Sequence, residues 1–476
     1  DADPSGTEAT HPGADANPPV FSFPMLLTLI TYAVGAVYGA LLLPSLFAEP
    51  ASVITANWLP PFGINLYFSP LTAGAAILIY CIAFFVTLFD IRHTERRESS
   101  YYLLYALMVF SSIGMILTAD LFNLFVFLEI GGIAAFACVG TGNRFLGAKG
   151  GITYLIQAQL LSLLMLAGIA FVYSATGVLN MASLAGGAAL NPAFGFLAAV
   201  LILLPILLEI KVVPFNTWVP ETYRGASASF AGSVSGIMAL AGGIVMMRLF
   251  LTVMNPAGAF RLTSEKLSVL LIILGGITVI IGELAALKET ELKKVLGFSS
   301  VGQMGMITVG IGAANVLSIE GALFLLVSHS AAKLLLFFVS GFFIRVSGRS
   351  RWSEMNSVAR RYPLAGGLFV IGALTLMGMP LFAGFWGKLS LLQGVLEAGG
   401  PALFGFIAIL FGTVIEGIYF MRIGHGFFVE QTTGQEAHTA GTPAAADEHA
   451  GGEHVAKPRY TASFLIPALI LAALLT

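Results

Sequence analysis

The chain has 476 residues, of which 57% are hydrophobic and only 10% charged, with a formal net charge of −2. A soluble domain carries about 25% charged residues, so this composition excludes an ordinary soluble fold, and the absence of a basic excess offers nothing to nucleic acid. Cys81 and Cys138 lie far apart in apolar runs with no CxxC partner, so no iron–sulfur, zinc or haem site is signalled, and both read as small buried hydrophobes.

In chain order, residues 1–21 come first. They are polar, rich in Pro and Ala, and lack the charged start and apolar core of a signal peptide, so they read as a disordered tail. Long apolar runs between polar or Gly/Pro breaks then predict thirteen membrane spans, at roughly 22–47, 67–90, 101–118, 121–140, 150–174, 193–219, 226–250, 267–287, 295–313, 319–344, 364–398, 401–423 and 460–476. Lipid offers no partner to a backbone N–H or C=O, so spans of this length are helices. The predicted organisation is an N-terminal group of helices (22–100), a five-helix block (101–250), a second five-helix block (267–423), a disordered polar loop (424–459) and a last helix (460–476) that ends partway through a span. His438, His449 and His454 in the polar loop resemble a metal tract, but the Ala, Gly and Glu around them, without apolar period, favour disorder.

Lysine and arginine orient the bundle. One set of alternate loops carries Arg92, Arg96 and Arg97, then Arg144 and Lys149, Arg224, and Lys288, Lys293 and Lys294. It continues with Arg345, Arg349, Arg351, Arg360 and Arg361, and with Arg422, Lys457 and Arg459. The opposite set has only Arg261 and Lys266, with Arg248 at a helix end. The cation-rich set is therefore cytoplasmic, which puts the N-terminus inside and the C-terminus outside.

Three lysines remain within spans, Lys211, Lys333 and Lys388, and four acids lie well inside them, Glu129, Glu209, Glu283 and Glu416. Glu129 sits roughly 12 Å along a helix starting at Leu121, near the middle of a hydrocarbon core of about 30 Å. An ionisable group there costs about 2.5–3.5 kcal/mol and usually faces the bundle interior on an ion or proton path. The plain alternative is a structural ion pair or a lysine reaching for the interface, and it fits Glu283, near Lys288, best.

Lys211 and Lys388 share a context. Lys211 sits in "LLPILLEIKVVPFNTWVPETY" among Pro205, Pro214 and Pro220, and Lys388 in "LMGMPLFAGFWGKLSLL" near Pro380, Gly384 and Gly387. Proline breaks the helical ladder, and each lysine falls on the fourth helix of its five-helix block. Five is odd, so the second block enters the membrane inverted, the pattern of an inverted-repeat transporter with broken helices at its site. Burial favours a neutral amine and a nearby carboxylate favours the ammonium, so a Glu–Lys pair that forms and breaks loads and releases a proton. On that logic Glu129 is the switch on Lys211, Lys333 a relay and Lys388 the release or uptake group, with His329, one turn before Lys333, as a further relay.

These residues resemble the antiporter-like subunits shared by Mrp-type Na+/H+ antiporters, respiratory complex I and membrane-bound hydrogenases, over nearly the whole chain. "TADLFNLFVFLEI" is similar to the fifth-helix motif, whose Glu is the family's proton-path carboxylate, here Glu129. "PFNTWVPETY" resembles the P-x-H-x-W-L-P stretch of the broken seventh helix, and "ELKKVLGFSSVGQMG" the D-L-K-R-L-L-A-Y-S-S-x-x-Q-x-G stretch. "SHSAAKLLLFFVSG" resembles H-x-x-x-K-A-L-L-F, giving His329 and Lys333, and "MPLFAGFWGKLSLL" the broken twelfth helix, giving Lys388. Within the family, "DLFNLFVFLEI" is most similar to the D-type chain of Mrp antiporters and its hydrogenase counterparts. The resemblance implies fourteen helices, of which the thirteen here fit the second to the last, the first preceding Asp1.

The chain departs from that pattern. The family's seventh-helix Lys lies nine residues before the Trp, and counting back from Trp218 reaches Glu209, not Lys211. The eighth helix usually carries a central Lys or His, where this chain has Leu240; Asn216 and Tyr223 replace histidines. The expected function is a proton-translocating, Mrp D-type antiporter module without a cofactor of its own: no GxGxxG follows a strand. Expected partners are other membrane subunits, protons, Na+ and the lipid of a prokaryotic plasma membrane. The alternatives are a pump subunit of a redox-driven complex, a stand-alone solute transporter, and a scaffold subunit with an inactive channel. The expected proton path is Glu129, Lys211, Lys333, Lys388 and His329, with Glu209, Glu283 and Glu416 as secondary candidates.

Overall fold

A computed structural model describes residues 22–58, 63–93, 99–141, 144–187, 189–254, 256, 258–429 and 460–476. The predicted tail and residues 430–459 of the predicted polar loop, with its histidines, lie outside the described residues. α1 (Phe23–Ala48) starts with Pro24 in its first turn, where a missing N–H costs nothing. An antiparallel hairpin, β1 (Ala51–Ile54) and β2 (Asn65–Phe68), leads to α2 (Pro70–His93) and α3 (Ser99–Leu117). α4 (Leu121–Gly140), capped by Asp120, and α5 (Arg144–Thr176) follow, then a short α6 (Met181–Ala185) and α7 (Pro192–Glu209). After α7 come α8 (Val219–Gly225), α9 (Ala228–Ser233), a π-turn over Val234–Met238 and α10 (Ala239–Thr252).

The second half runs through α11 (Ser264–Lys288), α12 (Leu292–Ala313), α13 (Val316–Ser347), a short α14 (Val358–Arg361), α15 (Pro363–Met377), α16 (Ala383–Ala398) and α17 (Ala402–Phe428), and α18 (Ala462–Leu475) closes the chain. The described residues are nearly all helical, and eleven helices among them are long and apolar enough to cross a membrane; Tyr67 and Phe68, at the start of the predicted span 67–90, belong to β2 instead. The predicted loop at 424–459 begins too early: α17 continues to Phe428 because Phe427 is fully buried against Phe343 and Phe369.

The predicted span 193–219 is α7 followed by a gap that ends where α8 begins, the predicted span 364–398 is α15 and α16 with a gap between them, and the two helices before the gaps end in the same local geometry. At the end of α7 the Lys211 N–H bonds Leu208 C=O and the Val212 N–H bonds Leu207 C=O. At the end of α15 the Gly378 N–H bonds Thr375 C=O and the Met379 N–H bonds Leu374 C=O. Both are Schellman closures, which need a left-handed residue just past the helix. Gly378 supplies it at φ +72°, and in the first half Lys211 itself supplies it at φ +63°. A cis Val213–Pro214 bond follows Lys211.

The core runs through the middle of the bundle. In α12 94% of the most apolar stretch is buried, against 11% in α1, which lies at the periphery. The two ends differ in charge. At one end Lys149 pairs with Glu221 at 3.4 Å, Arg224 with Glu291 at 3.2 Å, and Arg422 sits 5.0 Å over the Trp352 ring. At the other, Asp120 bridges Asn180, Asn180 donates to Asn65, and Arg261 donates to Gly187 C=O.

Candidate functional site

The charged side chains form a row across the bundle. It starts at α4, where Glu129 is half-buried and accepts a hydrogen bond of 2.7 Å from Gln159 of α5. Glu209, the last residue of α7, is buried and accepts at 2.6 Å from the Tyr154 hydroxyl, also on α5. The two carboxylates line one small cleft with Ser162, Pro205 and Leu208. Glu209 also faces a second cavity lined by Ser111, Ser112 and Met238, and each cavity has room for about one water molecule.

Lys211 is fully buried in the gap between α7 and α8. Its Nζ lies 5.9 Å from the centre of the Trp218 ring and has no hydrogen-bond partner among the described residues. A regular helix would put residues 209 and 211 on different faces. The helix ends at Glu209, however, and the left-handed turn leaves the lysine within electrostatic reach of that carboxylate. Glu209 is thus a partner common to both residues, sharing a cleft with Glu129 and lying within electrostatic reach of Lys211. The segment after Lys211 is tied to the second half by Val213 N–H, which donates to Thr278 Oγ1 of α11 at 3.0 Å.

His329 and Lys333 sit one turn apart on α13, both fully buried and both within electrostatic reach of Lys211. Lys333 Nζ donates to Leu296 C=O of α12 at 2.9 Å, and neither ring nitrogen of His329 has a hydrogen-bond partner among the described residues. Beyond them lies a cluster on α11, α12, α16 and α17. Lys388 Nζ bonds Glu416 Oε2 at 2.7 Å, Gln303 donates to Glu416 Oε1 at 2.7 Å, and Tyr419 donates to Glu283 Oε2 at 2.9 Å. Lys333 is within electrostatic reach of both Glu283 and Glu416, which joins the cluster to α13. The stem of Lys388 crosses the gap: a Cβ on Gly378 would come within 2.7 Å of its Cδ.

All eight sequence-predicted residues thus fall on one row, seven of them buried and Glu129 half-buried. Glu283, whose position near Lys288 suggested an interface residue, is fully buried instead. Two cations outside the row find structural partners. Arg224 pairs with Glu291, and Arg248 donates to Ile116 and Thr118 C=O, closing the end of α3. Sequence reasoning missed the neutral partners Tyr154, Gln159, Gln303 and Tyr419. Each lies in an apolar span, and Tyr419 is three residues after Glu416 on one helix face, so a search for polar neighbours at helical spacing would have found it.

Residues 118–416 match the family described as NADH:quinone oxidoreductase/Mrp antiporter, TM. The chain is 31% identical to NADH-quinone oxidoreductase subunit N of Desulforudis audaxviator over 84% of this chain and 79% of that protein. It is 30% identical to the D-type chain of the Na(+)/H(+) antiporter of Alkalihalophilus pseudofirmus over 71% of this chain and 68% of that one. Its fold is similar to a chain of the membrane-bound sulfane sulfur reductase, an archaeal respiratory membrane complex, with a TM-score of 0.84, 26% identity, and coverage of 96% of this chain and 88% of that one.

Proposed function

Because the chain belongs to the family of NADH:quinone oxidoreductase and Mrp antiporter transmembrane subunits, we propose that it moves protons as the antiporter-like subunit of a multisubunit complex in a prokaryotic plasma membrane. The observation that carries this reading is the row of buried charges from α4 to α17, with a lysine at each helix gap. Such groups are expensive in a bilayer and are kept where they move ions or protons. A proton collected in the cleft of Glu129 and Glu209 passes to Lys211. From there it goes to Lys333, with His329 alongside, and on to Lys388 and its partner Glu416. Glu283 tunes the charge around the last two. Arriving charge at Lys333 weakens the hold of Glu416 on Lys388, because like charges compete for one carboxylate.

The energy comes either from exchange against Na+, as the name of the Alkalihalophilus relative suggests, or from a redox arm carried by other subunits. The likeness to subunit N and to the sulfane sulfur reductase chain favours the redox-driven form as the second reading. The test is proton translocation by the intact complex in sealed vesicles. Glu129→Gln and Lys211→Met should each lower the rate about tenfold or more, equivalent to ~1.4 kcal/mol on the limiting barrier. Wild-type rates in both variants would refute the path.

A further inference from the structure

The weakest point of this path lies between Lys211 and Lys333, where Leu240, fully buried and apolar, occupies the usual place of a charged relay. The structure holds a different set of groups there. Just before Leu240 the helix widens into the π-turn Val234–Met238, and such turns re-aim side chains and gather at functional sites. Ser235, on that turn, has its Oγ 2.7 Å from the Tyr223 hydroxyl and 3.1 Å from Ser300 Oγ. Ser300 donates to Leu296 C=O at 3.0 Å, the same carbonyl to which Lys333 donates at 2.9 Å. Tyr223, Ser235, Ser300 and Lys333 are all fully buried.

The hydrogens of this series are ordered. A serine hydroxyl has one hydrogen. Ser300 gives its own to Leu296 C=O, so Ser235 donates to Ser300, and Tyr223 donates to Ser235. All three O–H bonds therefore run from the gap after α7 towards the carbonyl of Leu296, where Lys333 also binds. At the other end the Tyr223 ring packs 6.3 Å from the Trp218 ring, the ring that faces Lys211.

We propose that the hydroxyls of Tyr223, Ser235 and Ser300 form a proton wire from the Lys211 gap to Lys333, replacing the missing relay at Leu240; this rests on the reading of the buried row as a proton path. The transfer balances as one proton moved. A proton released by Lys211 arrives at the Tyr223 oxygen, whose own hydrogen passes to Ser235. The hydrogen of Ser235 passes to Ser300, and that of Ser300 turns from Leu296 C=O to the free amine of Lys333. Lys211 ends neutral, Lys333 ends charged, each hydroxyl keeps one hydrogen, and rotation about the three C–O bonds resets the wire.

The test measures proton translocation per assembled complex in vesicles. Tyr223→Phe and Ser235→Ala should each lower the rate about tenfold or more, and Ser235→Thr, which keeps a hydroxyl, should restore most of it. Lys333→Met, measured alongside, should stop transport. Wild-type rates in Tyr223→Phe and Ser235→Ala with Lys333→Met inactive would overturn the wire and leave the path standing. A wild-type rate in Lys333→Met would overturn the path itself. A Ser235→Thr rate as low as that of Ser235→Ala would assign the loss to packing and also overturn the wire.

Discussion

Glu283 reaches its place because residue 302 has no side chain. A Cβ on Gly302 would come within 2.0 Å of Glu283 Oε1, and Gly282, one residue before the acid, packs closely on the Gly302 backbone. The close approach of α11 and α12 thus rests on glycines, as in other membrane helix pairs, and it fixes a carboxylate in the cluster of Lys388 and Glu416. Gly302→Ala should destabilise the chain by about 1–3 kcal/mol through overpacking, read as a lower Tm of the purified complex. Glu283→Ala removes the clashing group, so adding Gly302→Ala to it should cost much less. An equal loss on both backgrounds would contradict this geometry. The acid was visible in the sequence as a charge inside a span. Its burial was not, because distance to Lys288 along the chain says nothing of the helix packed over it.

The gaps after α7 and α15 were legible as breaks, because proline and glycine there cannot continue a membrane helix. That the gaps share one closure was not legible, since one of them uses a lysine where glycine is usual. A non-glycine residue in the left-handed region costs about 1–2 kcal/mol. The fold accepts that cost at Lys211, φ +63°, and the turn brings the amine within electrostatic reach of Glu209. In the second half Gly378 closes the helix and the lysine comes from α16 to lie across it. Both apparent irregularities of the first half, the acid at 209 and the lysine two residues later, follow from this one turn. Lys211→Gly should therefore be more stable than Lys211→Ala by about 1 kcal/mol, measured as a higher Tm, since both lose the amine and only alanine keeps the strain. Equal stability would show that the turn is not strained.

Across the whole molecule, the loops of one end are stitched by ion pairs and those of the other by hydrogen bonds. The cation-rich end is expected to face the cytoplasm. In a background lacking Cys81 and Cys138, Lys266→Cys should react with an impermeant thiol reagent on intact cells, and Arg349→Cys only after permeabilisation; both positions are exposed. Labelling of both from one side would refute the orientation. The sequence by itself determined the predominantly helical membrane fold, the breaks and the charged residues, though not the β1–β2 hairpin, because each depends on local apolar length, on proline and glycine chemistry, or on the cost of a charge in lipid. Only the tertiary structure decided which charges meet. It gave Glu209 a cleft shared with Glu129 and a place within reach of Lys211, brought Glu283 and Glu416 within reach of Lys333, and lined up Tyr223, Ser235 and Ser300, because these contacts depend on how each helix is turned in the bundle.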